Sequence, residues 1–183
     1  MGTRTLITSQ EFETICNQLG PCELVRGEVV ALSPGGFKHG RITVQVTMVI
    51  GRWAQQTRLG RVIAGDASVI VESDPDTVRG ADVAYISYQR LPREAEPSGF
   101  CATPPELVVE VMGKGQGWRE IVQKAGEYLR MGVDRVWVID PQSQSIHILR
   151  PDAGPTALSK GQTLTDESIL PGFSCLIDEF FAD

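Results

Sequence analysis

Two carboxylates are the residues in this sequence with the clearest capacity for chemistry. Asp82 opens the strand-like segment 82–86, and Glu110 lies inside the apolar run 107–112. An ionised carboxylate buried in such a strand is costly unless a cation compensates its charge. Mg²⁺ prefers carboxylate oxygens and acidifies a bound water, which is the chemistry that phosphodiester hydrolysis requires. The first hypothesis is therefore a divalent-cation site built on Asp82 and Glu110.

The alternative is a purely structural role for these acids, in which each forms a salt bridge at a strand end with Arg79 or Arg90. Lys124 borders the apolar stripe of the helix predicted after Glu110. Its ammonium group either reaches back to water, the commoner outcome, or extends over the sheet towards the metal and the phosphate. The residues alone leave both choices open, and they favour a solvated Lys124.

Two further side chains, Glu28 and His39, are weaker candidates. Glu28 follows a hairpin turn and is either a third acidic ligand or a hydrated surface charge. His39 begins a predicted helix and is either a general base or an ordinary residue of the first turn. Glu127 is expected on a solvated helix face, without a catalytic role.

Composition limits the class of protein. A chain of 183 residues with 42% hydrophobic and 22% charged residues predicts one domain over 1–183. The net charge of −6 argues against a broad basic surface, so a nucleic acid would meet a local positive patch. No apolar run approaches the length of a membrane span or a secretory signal, which predicts a cytoplasmic protein with no membrane partner. Four scattered cysteines and two histidines do not make a zinc site and are read as reduced, mostly buried thiols and isolated imidazoles.

The order of predicted elements favours a mixed α/β core. The predicted helices cover about 9–19, 38–57 and 118–131. The predicted strands include 62–71, 82–86, 106–112, 136–139 and 145–149. The first two strands are expected to form a hairpin, the next two to pair in parallel across the third helix, and the last to be an outer strand. The predicted fold class is α/β, with a central mixed β-sheet flanked by helices.

A glycine-rich loop at 113–117 lies between a predicted strand and a predicted helix, where backbone amides can bind phosphate. Trp118 stands where the dinucleotide pattern needs glycine, and the P-loop pattern is absent. The loop is therefore a weak nucleotide motif, and Lys114 could instead hold a DNA phosphate.

The chain resembles the PD-(D/E)XK nuclease superfamily and, more closely, the Uma-type family of restriction endonucleases. The matching segments run from about Phe12 to Phe181, and their order and spacing are more specific than any one of them. They are 22–30, Ser33-Pro34 with His39, 81–84, 105–111, Lys124 through Tyr128 to Gly132-Val133, and 136–141.

The resemblance implies a restriction-endonuclease-like core that binds Mg²⁺ or Mn²⁺ through Asp82, Glu110 and the Val111 carbonyl. Met112 occupies the usual lysine position, so the resemblance moves the lysine to Lys124 and reverses the preference for a solvated side chain. Glu28 matches the early acidic position of the family and becomes a candidate catalytic residue.

The sequence therefore predicts a metal-dependent endonuclease acting on DNA. In it, Lys124 orients the attacking water or offsets charge on the phosphate. A homodimer is compatible with such folds. The alternatives are a noncatalytic nucleic-acid or protein interaction module on the same scaffold and, last, a nucleotide-binding protein that uses the glycine loop.

Overall fold

A computed structural model describes residues 6–182 as a central β-sheet with helices packed on both faces. The helices within these residues are α1 (Ser9–Ile15), α2 (Phe37–Thr57), α3 (Trp118–Met131) and α4 (Asp178–Phe181), with a 3₁₀ turn at Cys16–Gln18. The strands are β1 (Cys22–Val25), β2 (Glu28–Ala31), β3 (Gly60–Glu72), β4 (Thr77–Ser87), β5 (Leu107–Val111), β6 (Arg135–Asp140), β7 (Ser145–Arg150), β8 (Ala153–Ser159), β9 (Thr163–Thr165) and β10 (Ser174–Leu176). The predicted α/β class with a mixed sheet is confirmed.

The main sheet is mostly antiparallel. Its strands follow the order β2-β1-β4-β5-β6-β7-β8, with β3 paired to β4. The parallel pair is β5 with β6, which are joined through α3 as predicted, because parallel neighbours need a crossover. The predicted hairpin is confirmed as β3 and β4, although β4 begins at Thr77 rather than at Asp82. The segment predicted as an outer strand, β7, is covered by β8 and is therefore not at the edge.

One edge of β4 is shared by two strands. β3 pairs along the whole of β4, whereas β1 meets it at Val78 and β5 meets it at 83–85. Since β3 occupies one edge, β1 and β5 must both lie on the other. Between them, residues 79–82 have no strand partner on that edge. Side chains satisfy the open backbone there, and this gap positions the site described below.

The sheet separates two apolar layers. One lies under α2 and the C-terminal segment and includes Ile50, Val109 and Phe180. The other lies under α3 and includes Val108 and Tyr128. Because strand side chains alternate, Glu110 shares the α3 side with Val108. The cysteines are free, and among them Cys175 is buried while the other three are half-buried, so the prediction of mostly buried thiols is wrong. No helix within residues 6–182 has the length and apolar character needed to cross a membrane.

Candidate active site

Asp82 and Glu110 lie side by side on neighbouring strands. β4 and β5 pair Val83 with Val109, and the same register extended by one residue sets Asp82 opposite Glu110. Asp82 is 7% exposed and Glu110 is 4% exposed. The backbone amide of Val111 donates a hydrogen bond of 2.7 Å to Asp82 Oδ2, so the Asp82 side chain also links β4 to the end of β5. The structure thus brings together two buried acids that sequence spacing leaves far apart.

Two donors hold the Glu110 carboxylate. Lys124 Nζ donates to Oε2 at 2.9 Å, and the Tyr128 hydroxyl donates to Oε1 at 2.9 Å. Burial raises the pKa of Glu110 to about 7, the Lys124 charge opposes the rise, and the Asp82 charge adds to it. Glu110 is therefore an acid whose ionised form needs more positive charge than the protein itself supplies.

Lys124 points over the sheet into the gap on β4. Besides Glu110, its ammonium group contacts Glu23 Oε1 at 3.0 Å and donates to the Gly80 carbonyl oxygen at 2.8 Å. Burial alone would lower the pKa of Lys124, but the charges of Glu110 and Glu23 outweigh burial and raise it. Its side chain is 14% exposed, so the alternative of a solvated lysine is wrong.

Glu23 and Arg79 extend this charge cluster. Glu23, on β1, accepts a hydrogen bond of 3.0 Å from the Gly80 amide and one of 2.7 Å from Arg79 Nη1. Arg79 Nε also donates to Glu127 Oε2 at 2.6 Å. Burial favours the neutral form of Glu23, yet Lys124 and Arg79 lower its pKa. Glu127 is 4% exposed, so its predicted place on a solvated face is wrong.

The alternative of a salt bridge from the two central acids to Arg79 or Arg90 is also wrong. Arg79 pairs with Glu23 and Glu127, and Arg90 pairs with Glu106 and Asp134. Neither arginine therefore pairs with Asp82 or Glu110, whose cationic neighbours are His39 and Lys124 respectively.

His39 closes the exposed side of Asp82. It lies in the first turn of α2, and its Nε2 is 3.2 Å from Asp82 Oδ2. The hydrogen bond to Asp82 raises the pKa of His39 above its ordinary value, although burial works against it. His39 is thus a donor that orients Asp82. The sequence left its role open.

The donor set fits a hard divalent cation in part. Among residues 6–182, no three His, Cys, Asp or Glu side chains converge as a ready-made metal site. Asp82 and Glu110 supply oxygen ligands. The Val111 amide and His39 both contact Asp82 Oδ2, which leaves Oδ1 as the oxygen that could bind a cation. Each Glu110 oxygen retains a lone pair beyond its one hydrogen bond. Two carboxylates and a carbonyl leave positions for water and phosphate, as Mg²⁺ requires.

Glu28 lies away from this cluster. It pairs with Val25 at the turn of the β1–β2 hairpin, and β1 meets β4 at Val78. By this register Asp82 lies several residues further along β4, and Glu28 lies on β2, two strands away from β4. Strand geometry then puts the Cα atoms of the two acids roughly 15–20 Å apart. Its predicted catalytic role stays a prediction. The acid that β1 does deliver to the site is Glu23.

Sequence reasoning missed Glu23 and gave Arg79 and Glu127 other surroundings than the structure shows. A signal for Glu23 existed, because it lies within a short β-strand, Cys22–Val25, in which side chains alternate between the two faces. The other two give a weaker signal. Arg79 is the third residue of β4 and follows a turn, where charged residues are common, and Glu127 lies four residues from Gln123 on a face of α3 that is polar in the sequence. Only the tertiary arrangement puts the three in contact.

The elevated pKa of Glu110 predicts a pH dependence of stability. Glu110 binds its proton more tightly when folded, so the stability this provides is complete below the unfolded pKa, near 4.5, and is lost as pH rises through about 7. Metal-free wild-type protein should therefore lose stability relative to Glu110→Gln between pH 5 and pH 8. Urea denaturation of both proteins in chelator measures the difference, and parallel pH profiles would contradict the assignment.

The whole chain is similar to known proteins of one kind. The model of the Uma2 family, described as "Putative restriction endonuclease", matches residues 9–178. The chain belongs to this restriction-endonuclease-like family, which confirms the resemblance found in its motifs. No curated protein matches the sequence.

A solved structure supports the same fold. It is described as "a putative nuclease belonging to DUF820" from Anabaena variabilis, and it superposes with a TM-score of 0.80. The sequences are 20% identical, and the match covers 96% of this chain and 97% of the other. At this identity the likeness concerns the fold.

Proposed function

We propose that this protein is a divalent-metal-dependent endonuclease that hydrolyses phosphodiester bonds in DNA. The observation that carries the proposal is the buried pair of Asp82 and Glu110 with the Lys124 ammonium group 2.9 Å from Glu110. An anionic pair beside a fixed cation suits a reaction in which a cation enters and negative charge then grows on a phosphate. The family and the nuclease-like fold support the same reaction class.

Asp82, Glu110 and the Val111 carbonyl would hold Mg²⁺ or Mn²⁺. When bound, the ion would polarise the phosphate and acidify a water. The chain's own contributions are separate from this. His39 and the Val111 amide fix the orientation of Asp82, and Tyr128 fixes Glu110.

Lys124 is the residue that would act on the reacting groups. Its ammonium is held by Glu23, Glu110 and the Gly80 carbonyl, which keeps it charged and immobile. A fixed cation there would offset charge on the phosphate without reorganising during the reaction. To orient the attacking water, one of its three N–H donors would have to leave its present acceptor. Glu23, which touches Lys124 and not the predicted ligands, would act as a positioning residue.

The test is cleavage of supercoiled plasmid DNA by purified protein. With Mg²⁺ or Mn²⁺ we expect nicked and then linear DNA, and an excess of chelator should abolish both products because Glu110 and Asp82 cannot complete the site alone. Restoring the metal should restore cleavage. Persistent cleavage in chelator, or none with either metal, would contradict the proposal.

DNA binding without cleavage would favour the noncatalytic alternative. A gel-shift assay in Mg²⁺ run beside the cleavage assay separates the two, since the noncatalytic module predicts a shifted band and intact plasmid. The possible homodimer and the cytoplasmic location remain predictions of the same proposal.

A further inference from the structure

A cavity of about 900 Å³ lies between the C-terminal half of α2 and the start of β3. Its volume is that of a site for a small organic ligand. At 1.5 Å per residue, the α2 residues on its wall, from Thr47 to Gln55, are about 12 to 24 Å along the helix from His39. The cavity is therefore distinct from the candidate active site, and its role does not rest on the proposed nuclease.

The wall of the cavity is strongly cationic. Its charged lining residues are Arg52, Arg58, Arg61 and Arg93, and no acidic residue within 6–182 lines it. This is a local concentration of positive charge on a chain whose net charge is −6. Such segregation creates a local positive potential that attracts anions.

These arginines are poorly neutralised by the protein. Arg52 is 3.6 Å from Glu179, but both side chains are largely exposed and the pair is weak. Arg61 Nη2 donates to two neutral carbonyl oxygens, those of Pro92 and Arg93, while its Nε is buried with no hydrogen-bond partner among the described residues. Its hydrogen-bond partners are thus neutral, and no carboxylate among residues 6–182 neutralises the positive charge of Arg61.

Two of the guanidinium groups share one aromatic ring. Arg93 lies 4.2 Å and Arg61 lies 5.3 Å from the centroid of the Tyr88 ring. The ring thus holds two positive charges beside the same cavity, and an anion bound there would reduce the repulsion between them. Arg58 is at the C-terminal end of α2, where the helix dipole favours a cation. The dipole accounts for one arginine of the cavity and leaves the others unexplained.

The remaining wall is apolar. Met48, Ala54 and Val62 lie beside the arginines, so the cavity offers a surface for a flat ring next to groups that bind phosphate bidentately. We propose that this cavity binds a phosphorylated ligand of nucleotide size, either a free nucleotide or the terminal nucleotide of a strand. The phosphates contact the arginines, and the ring system packs on the apolar wall.

Isothermal titration calorimetry in excess chelator tests the proposal without recruiting phosphate to the candidate metal site. The probes are ATP, adenosine, and a tetrathymidylate with or without a 5′-phosphate. ATP should bind with one ligand per chain, and adenosine should not. Tighter binding of the phosphorylated tetranucleotide than of ATP would identify a strand end as the ligand, and the reverse would identify a free nucleotide. The proposal would be overturned if neither ATP nor the phosphorylated tetranucleotide bound, or if adenosine bound as tightly as ATP.

Matched charge variants locate the binding. Arg58 and Arg93 are both exposed, and Arg58→Gln and Arg93→Gln should each raise the dissociation constant of the phosphorylated probe about tenfold. This is the effect expected for loss of a charge-assisted hydrogen bond. Arg130→Gln removes the same charge from α3, outside the cavity, and should leave affinity within about twofold, as for an exposed charge. Equal weakening in all three variants would show a general attraction of anions and overturn the assignment. Thermal unfolding of each variant verifies that it is folded.

Discussion

Replacement of Glu110 by glutamine should reduce metal-dependent DNA cleavage by about a thousandfold or more, the scale on which loss of one charge-stabilising group at a reacting centre acts. The amide keeps the size of the side chain and can still accept from Tyr128, which donates to Glu110 at 2.9 Å. What it removes is the negative charge that would hold the cation next to Asp82. Plasmid cleavage rates at saturating Mg²⁺ measure the effect.

Glu120→Gln is the matched control for this variant. Glu120 is exposed in the first turn of α3, so the same chemical change occurs on the same layer of the protein without touching the site. Its cleavage rate should equal that of the wild type. A Glu110→Gln protein that is folded by circular dichroism and retains a tenth or more of wild-type activity would remove Glu110 from the catalytic machinery.

Replacement of Arg79 by methionine should lower the free energy of unfolding by about 3–5 kcal/mol, the usual cost of removing one partner from a buried ion pair. Arg79 lies between Glu23 and Glu127, whose side chains are 4% and 6% exposed, so two buried carboxylates would lose a common partner. The loss exceeds the value of the pair itself because the remaining charges stay desolvated. Urea denaturation at pH 7 measures it.

Two further variants distinguish this mechanism from simple loss of packing. Arg130→Gln breaks the ion pair between Arg130 and Glu72, whose side chains are 63% and 33% exposed, and should cost less than about 1 kcal/mol. Adding Glu127→Gln to Arg79→Met should restore part of the lost stability, since one stranded charge disappears. A double variant less stable than Arg79→Met alone would contradict the charge argument.

The helices and strands could be predicted from the sequence more completely than the candidate site could. Strand and helix patterns located α3 at 118–131 and the parallel pair around it, because those depend on periodicity and on a crossover connection. Asp82 and Glu110 could be found for a related reason: a charge interrupting an apolar strand is visible without knowing its neighbours. The pairing of the two strands in register then brought them together.

The rest of the site depends on the edge of β4 that β1 and β5 share, with residues 79–82 unpaired between them. The hydrophobic periodicity of the sequence does not predict this arrangement. Glu28 was singled out because a charge after a turn is conspicuous, and Glu23 was not considered, since it lies inside a short strand whose partner was unknown. The stripe border alone favoured a solvated Lys124, and only the family resemblance reversed that preference; the structure places Lys124 against two buried acids that periodicity does not report. Glu127 was misplaced for the same reason, since Arg79 draws it inward.

The ion cluster joins three stretches of chain that are distant in sequence: Glu23 on β1, Arg79 on β4 and Lys124 on α3. Contacts of such long range close large loops and cannot form in a short or partly ordered fragment. A nascent chain that ends before α3 lacks Lys124 and Glu127, the two α3 residues that contact Glu23 and Arg79. The ion cluster, and the proposed activity that depends on it, therefore require that α3 has been synthesised and has packed on the sheet.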